Sequence, residues 1–439
     1  MKIIILGAGE SGVGAALLAQ QKGHDVFVSD GGVIKDHFLK ELIDNKIVHE
    51  SGVHTEAKIL EAELVIKSPG IPDAAPLVKK IAAQGIPIIS EIEWAARHTT
   101  AKIIAITGSN GKTTTTNLTY HLLKTAGFKV GVAGNVGYSF ARKVATETHD
   151  WYVLEISSFQ LDGCFGFKPN IAVLLNITPD HLDRYDYDLA KYVASKFRIT
   201  QNQDKNDHFI YNTEDKNMKK WLRGKNIAAE RHKVFPSALL PDGDSDDTDI
   251  ELMGFEFEES DLTIRGAHNL FNASCAIIAA KLAGVKNKYL LDGLTTFVNA
   301  PHRLQEVATI NGVDFINDSK ATNVDSVFYA LQAMTKPIIW IAGGTDKGND
   351  YSPLDELAAT KVKALICMGV DNDKLTAHYS PIIKVVESTH TLADAVALAV
   401  KYAEEGDIIL LSPACASFDL FKNYEDRGDK FMELVRSLA

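Results

Sequence analysis

The stretch Ile104–Leu118, IAITGSNGKTTTTNL, contains most of a phosphate-binding loop. Gly111, Lys112 and Thr113 supply the second half of the pattern G-x-x-x-x-G-K-[ST]. The first glycine of that pattern would fall at position 106, which is isoleucine, and the nearest glycine is Gly108. The setting is more informative than the missing residue. AKIIAIT, ahead of the loop, has the length and β-branched content of a buried strand, and the segment from Thr113 to about Ala126 reads as a helix. A strand that runs through Thr107-Gly108-Ser109-Asn110 into a helix N-terminus turns backbone N–H groups toward an anion. There Lys112 can neutralise β- and γ-phosphate oxygens, and the Thr113 hydroxyl can ligate Mg²⁺. The competing reading is a surface lysine at an ordinary helix start. It leaves the strand–loop–helix setting and the four-threonine run unexplained.

Outward from this loop, strands and helices alternate along most of the chain. KIIIL is a short buried strand, GVGAALLAQQKG a helix closed by Gly23, and DVFVSD a second strand; AELVIKS and IPIIS follow. This rhythm predicts a parallel sheet with crossover helices. It starts afresh near residue 101, where WYVLEISS and NIAVLLNI add strands to the one before the loop. The acidic, turn-rich PDGDSDDTDIELMGFEFEESD predicts a loop and then an antiparallel excursion. HNLFNASCAIIAAKLAGV reads as a helix. After FVNAPHR the strands VDFINDS, PIIWIAGG, KALICMG, IIKVVES and DIILLSP follow. Boundaries are expected near 98 and 300, giving an α/β protein of three domains, 1–98, 99–300 and 301–439.

The 439 residues fit that number, at about 100–200 residues per domain. A formal net charge of −11 argues against a nucleic-acid or anionic-membrane partner, which would call for clustered cations. The four cysteines, Cys164, Cys275, Cys367 and Cys415, follow no C-x-x-C spacing, which suits a reducing cytoplasm and opposes a disulfide framework or structural zinc site. MKIIILGAGESG has too short an apolar run for a signal peptide, and no run approaches the ~20 residues of a membrane helix. A cytoplasmic protein is expected, with no membrane insertion.

Several further residues bear on chemistry. GAGESG, Gly7 to Gly12, satisfies G-x-G-x-x-G between a strand and a helix, and Asp30 ends the next strand near where a ribose-binding acid would sit. By itself this turn fits NAD(P) or FAD, another nucleotide diphosphate, or a structural turn. Glu155 ends the strand WYVLE, and His181 follows a buried strand in NITPDHLDRY. Both fall where ligands bind in open α/β sheets, so metal-ligand roles are favoured over solvated side chains. Lys196, in LAKYVASKFRI, reads as a solvated lysine on these grounds.

TGSNGKTTT, LEISSFQL, NITPDHLDRY, HNLFNA, PHRLQEV, NDSKATN and SPACASFDLFKNYEDRG together resemble the Mur ligases, in order, with motifs from Gly7 to Gly428. The serine-phenylalanine-glutamine run after Glu155 and the stretch from SPACAS to DRG favour the D-glutamate-adding branch. The resemblance implies a Rossmann-like N-terminal domain, a central P-loop ATPase-like domain with a mostly parallel sheet, and a Rossmann-like C-terminal domain. It implies an ATP-dependent amide ligase that phosphorylates the carboxylate of UDP-N-acetylmuramoyl-L-alanine and transfers the acyl group to D-glutamate, with two Mg²⁺ ions and as a monomer.

The resemblance also implies residue roles. Gly108, Asn110, Gly111, Lys112, Thr113 and Thr114 would cradle the ATP phosphates; Asn272 would contact adenine, Arg303 the phosphates and Asp318 the ribose. Thr113 and Glu155 would hold one Mg²⁺ and His181 the other. Lys196 matches a lysine that is carbamylated in the family, which would make it a metal-compatible anion. Ser11, Asp30 and Ser68 would bind the UDP part, Asn135 the substrate nearer the metals, and Thr322, Lys347, Ser417 and Tyr424 the D-glutamate. Lys112, His181 and Lys196 would be the catalytic set. Gly31 and Gly32 depart from the family pattern, which has a hydroxyl and an arginine there, and Tyr424 stands where phenylalanine is also found. A folylpolyglutamate-type ligase would share the loop and the metal residues. An NAD(P)-dependent oxidoreductase built on GAGESG would leave Lys112, Thr113, Glu155 and His181 unexplained, and an ATP-hydrolysing switch would leave the C-terminal domain without a substrate.

Overall fold

The computed structural model describes residues 1–239, 250–264 and 266–438. Their contacts gather into two units, Met1–Thr263 with Asn269–Phe297, and Ile264–His268 with Val298–Ala439.

The first unit holds two parallel sheets. In the N-terminal one, Lys2–Leu6 is central, flanked by Asp25–Asp30 and then Val48–Ser51 on one side, and by Leu64–Lys67 and then Ile88–Ile89 on the other. The central strand is apolar on both faces, as a strand covered by crossover helices must be. Ile3 and Ile5 enter one apolar cluster, Ile4 and Leu6 another. The second sheet runs Glu230–Val234, His208–Asn212, Ile171–Leu174, Lys102–Thr107, Trp151–Glu155, Val130–Gly134, every pair parallel. It places the phosphate-loop strand between the strands that end at Leu174 and Glu155.

Residue 98 lies between these sheets, yet one apolar cluster reaches from Ile3 and Ile5 through Trp94 and Phe140 to Ala105 and Leu154. Polar ties reinforce it. Arg142, in the helix Phe140–Thr146, bonds Glu10 at 2.8 Å and also Glu41. Buried Glu93 accepts the N–H groups of Phe165, Gly166 and Phe167 at 2.7–3.1 Å.

Four strands of this unit were not anticipated: Val48–Ser51, Val130–Gly134, His208–Asn212 and Glu230–Val234. Val48–Ser51 and Glu230–Val234 are edge strands with polar, half-exposed sequences, VHES and ERHKV, that lack an apolar run. The antiparallel excursion is present as Ile250–Glu251 paired with Glu256–Phe257; most of the acidic loop before it lies outside the described residues.

The second unit has one six-stranded sheet in the order Gln305–Ile310, Val313–Asn317, Ile408–Leu411, Ile338–Ala342, Val362–Met368, Val385–Thr389. Only the first pair is antiparallel. The strand Ile338–Ala342 is buried throughout; Ile338, Trp340 and Ala342 face one core, Ile339 and Ile341 the other. Among the described residues no helix is long and apolar enough to cross a membrane.

Candidate functional site

The loop sits at the C-terminal end of Lys102–Thr107, ahead of the helix Lys112–Thr125. Gly111 caps that helix with φ +84°, and a Cβ there would lie 2.3 Å from Asn272 Oδ1. Glycine is therefore required twice over, by backbone conformation and by the close approach of the helix Ala267–Ala283. The same contact puts Asn272 beside the loop. A clasp from the neighbouring strand's exit holds the loop in shape. Ser109 N–H donates to Asn176 O at 2.9 Å, Asn110 N–H to Asn176 Oδ1 at 2.8 Å, and the Ser109 hydroxyl to Thr178 O at 2.9 Å. Thr113 and Thr114 are buried in the first helical turn.

Two lysines meet at one carbonyl. Gly108 O accepts from Lys112 Nζ at 2.9 Å and from Lys196 Nζ at 2.7 Å. Lys196 is 1% exposed, so the expectation of a solvated side chain is wrong. Its helix, Leu189–Phe197, turns one face into the core beside Tyr192 and Phe197. Burial, and then the neighbouring Lys112, push the Lys196 pKa well down, with Asp180 and Asp162 opposing. Isolated burial of an ammonium costs several kcal/mol, so the amine gives up its proton more readily than a solvated lysine does.

Glu155 and Asn135 are brought together: Asn135 Nδ2 donates to Glu155 Oε1 at 2.7 Å. Glu155 is 2% exposed and its Oε2 has no hydrogen-bond partner. Such an orphan costs about 1–3 kcal/mol, and a bound cation would remove that cost. His181 follows the Asn176–Thr178 clasp; it adopts φ +51°, lies 3.6 Å from Asp180 and packs its ring edge-on against Phe159. The donor set of carboxylate, hydroxyl and imidazole, with a lysine that can become a carbamate, suits Mg²⁺ better for its oxygens than for its nitrogen.

Ser11, Asp30 and Ser68 line a cleft of about 480 Å³ together with Gly7, Gly31, Gly32 and His54. Asp30 binds main chain on both sides, accepting from Ala8 N–H at 2.6 Å and Gly32 N–H at 2.8 Å. It clamps the glycine turn to the Gly31-Gly32 turn. His54 was not singled out from the sequence. Its ring lies where a Cβ on Gly31 would come within 2.8 Å of Nε2, so the glycine makes room for the imidazole. Glu50 accepts from Thr55 N–H at 2.8 Å, Thr55 Oγ1 at 2.6 Å and Ser29 Oγ at 2.7 Å. Burial pushes its pKa up, but these bonds more than offset the push, and it stays ionised. The Ser29 hydroxyl spends its one proton on Glu50, so at 2.7 Å it accepts from His54 Nδ1–H. Nε2 is the nitrogen left for a ligand.

In the second unit, Asp318, Thr322, Lys347, Ser417 and Tyr424 lie on loops at the C-terminal ends of three adjacent parallel strands, or on the helix Tyr424–Arg436 beside them. Thr345 and Ala416 form a bridge that ties the Lys347 loop to the Ser417 loop. Tyr424 O accepts from Ser319 Oγ at 2.8 Å. The residue that gathers them is Arg427, fully buried, donating to Ser319 O at 2.9 Å, Ser319 Oγ at 3.0 Å, Cys415 O at 3.3 Å and Gly343 O at 3.4 Å. Nothing local in YEDRG marks Arg427 as an arginine that will be buried. Asp318 accepts from Leu304 N–H at 3.2 Å and Ser412 Oγ at 2.8 Å. Burial raises its pKa to about 7, against Arg303, whose Nε is buried without a partner. An orphaned donor near a carboxyl whose pKa is raised is suited to a polar ligand. The phosphate loop, Asn272, the metal-type residues and the cleft lined by Ser11, Asp30 and Ser68 thus belong to the first unit, and Arg303, Asp318, Thr322, Lys347, Ser417 and Tyr424 to the second.

Comparison with known proteins accounts for this arrangement. Residues 1–90 match the Mur ligase MurD-like N-terminal domain, 106–280 the Mur ligase middle domain and 302–415 the Mur ligase glutamate ligase domain. The chain is 48% identical to the UDP-N-acetylmuramoylalanine–D-glutamate ligase of Christiangramia forsetii, over 100% of this chain and 99% of that protein. It is 50% identical to the protein of the same name from Bacteroides thetaiotaomicron, over 100% of both. Its fold is similar to that of UDP-N-acetylmuramate-alanine ligase from Thermotoga maritima (TM-score 0.64, 19% identity, 100% of both chains). It is also similar to the MurF ligase of that organism solved with ADP (TM-score 0.63, 16% identity, 94% and 96%). With three consecutive domain matches and full-length relatives near half identity, the chain belongs to the Mur ligase family.

Proposed function

We propose that this protein is an ATP-dependent ligase that adds D-glutamate to UDP-N-acetylmuramoyl-L-alanine during cytoplasmic synthesis of the peptidoglycan precursor. The observation that carries the reading is the pairing of Lys112 and buried Lys196 on Gly108 O beside the loop. A simple NTP-hydrolysing loop has no use for the second, desolvated amine. Residues 1–98 would bind the sugar nucleotide, 99–300 ATP and 301–439 D-glutamate. The free, buried cysteines suit a reducing compartment, and the protein would act as a monomer.

A carboxylate is a poor electrophile at neutral pH. Its oxygen attacks the γ-phosphorus of ATP and expels ADP; the D-glutamate amine then attacks the acyl carbon, phosphate leaves and the amine proton is lost. Lys112 turns from the Gly108 and Ser109 carbonyls to the phosphate oxygens, and the loop N–H groups fix the chain of phosphates in line. Thr113, Glu155 and His181 would hold two magnesium ions, which supply positive charge against the phosphoryl oxygens. In its neutral form, which burial favours, Lys196 is a nucleophile for CO₂; the N–C bond forms as the amine proton is released, and the resulting carbamate would add a second anion beside Glu155 on the metal side. Lys347, exposed on its loop, would meet the side-chain carboxylate of D-glutamate, while Thr322, Ser417 and Tyr424 would complete that subsite. Asn272 would contact adenine, Arg303 the ATP phosphates and Asp318 the ribose. His54 joins Ser11, Asp30 and Ser68 in holding the UDP part, its Nε2 free to accept from the uracil imide N–H.

The test is phosphate release from ATP by purified protein with Mg²⁺, UDP-N-acetylmuramoyl-L-alanine and each candidate amino acid. Release should require both the sugar nucleotide and D-glutamate. Release indifferent to D-glutamate would overturn the assignment.

A further inference from the structure

The outer edge of the central sheet carries side chains that the ligase reaction does not use. Glu230–Val234 pairs in parallel with His208–Asn212, with His208 opposite Glu230 and Ile210 opposite His232. Side chains alternate along a strand, so His208, Glu230 and His232 share one face of the sheet. His208 Nδ1 and His232 Nε2 are 3.1 Å apart. Glu230 Oε2 lies 3.5 Å from the first nitrogen and Oε1 4.0 Å from the second.

A proton shared by the two imidazoles would explain the nitrogen pair alone. It leaves the carboxylate farther off than the ~2.7–3.2 Å of a hydrogen bond. A cation among the three matches the 3.1 Å and 3.5 Å separations, and a small turn of the exposed Glu230 side chain closes the 4.0 Å one. Tetrahedral coordination with bonds of about 2.0–2.2 Å sets ligand atoms roughly 3.3 Å apart. The histidines are 26% and 14% exposed and Glu230 63%, so the solvent side stays open for a water as the fourth ligand.

We propose that His208, Glu230 and His232 bind a zinc-class divalent cation that fastens the edge strand of the ATP-binding sheet to its neighbour. Two imidazoles and one carboxylate suit Zn²⁺, Co²⁺ or Ni²⁺; Mg²⁺ and Ca²⁺ prefer oxygen-only sets. The role is structural. His208 and Glu230 begin their strands, whereas the phosphate loop follows the end of a parallel strand in the same sheet, so the two sites lie toward opposite ends of the strands.

Metal-free full-length protein is titrated with Zn²⁺ against a chromophoric chelator while its melting temperature is followed, alongside the His208→Ala/His232→Ala double variant and Glu230→Gln. Wild type should bind one zinc per chain that the double variant loses. Glu230→Gln should bind it at least roughly tenfold more weakly, since even outer-shell partners are worth that much. The zinc-induced rise in melting temperature should be largest in wild type. Equal zinc uptake by all three proteins would overturn the proposal. If the double variant does not fold, unchanged affinity in Glu230→Gln, altered only at an exposed position, overturns it alone.

Discussion

Lys196 is buried and donates to Gly108 O at 2.7 Å, the same carbonyl that Lys112 reaches. A lysine in an amphipathic helix gives no local sign of whether it will be solvated; here the helix face decides, and burial beside Lys112 pushes the amine's pKa well down. If its carbamate completes the metal side, Lys196→Ala should lose on the order of a hundredfold or more in turnover, the scale of a preorganised charge. Short carboxylic acids added to the variant should partly restore it, and a fully active alanine variant would rule the role out. His54 makes the complementary case. Its neighbours in GVHTEAK carry no motif, yet Gly31 clears space for its ring and Ser29 sets its tautomer. Steady-state kinetics of His54→Ala should show KM for the sugar nucleotide raised roughly tenfold with kcat little changed, the signature of lost uniform binding. A fall in kcat at unchanged KM would contradict that assignment.

Among the elements, the helices Glu91–Ala96 and Phe140–Thr146 form a joint with its own pH dependence. Glu91 is buried and accepts the Ala141 N–H, while its Oε2 has no partner. Burial raises its pKa from 4.5 to about 8, Glu10 adds to the rise, and the Ala141 and Phe140 N–H groups oppose it. Between those values the folded chain keeps a proton that the unfolded chain has released. The group's contribution to stability therefore falls as pH rises through that window, by at most about 1.4 kcal/mol per pH unit. Glu91→Gln keeps the shape without the titration. Its melting temperature relative to wild type should rise steadily from pH 5 to pH 8, and a difference independent of pH would refute the account. Element boundaries followed the same divide between local and distant causes. KIIIL and DVFVSD match their strands residue for residue, because burial on both faces leaves an unbroken apolar run. VHES and ERHKV left no such run, because an edge strand needs only a neighbour's hydrogen bonds.

At the scale of the molecule, the residues assigned to ATP divide between the two units: the loop and Asn272 in one, Arg303 and Asp318 in the other. If all four groups contact one nucleotide, binding must restrict the arrangement of the units. Small-angle scattering with a non-hydrolysable ATP analogue and the sugar nucleotide should differ from that of the free protein; superimposable profiles would count against a shared nucleotide site.

The sequence by itself determined the alternation of strands and helices, the phosphate loop with its dispensable first glycine, and the family, because each is written in short contiguous stretches whose physics is local. Only the tertiary structure decided which polar side chains lose their water. Burial of Lys196, Glu155 and Arg427, the room that Gly31 leaves for His54, and the meeting of Lys112 with Lys196 on one carbonyl all depend on segments distant in the chain. Desolvation and like-charge proximity act through space, and so a residue's charge state and partners are set by the fold and not by its neighbours in sequence.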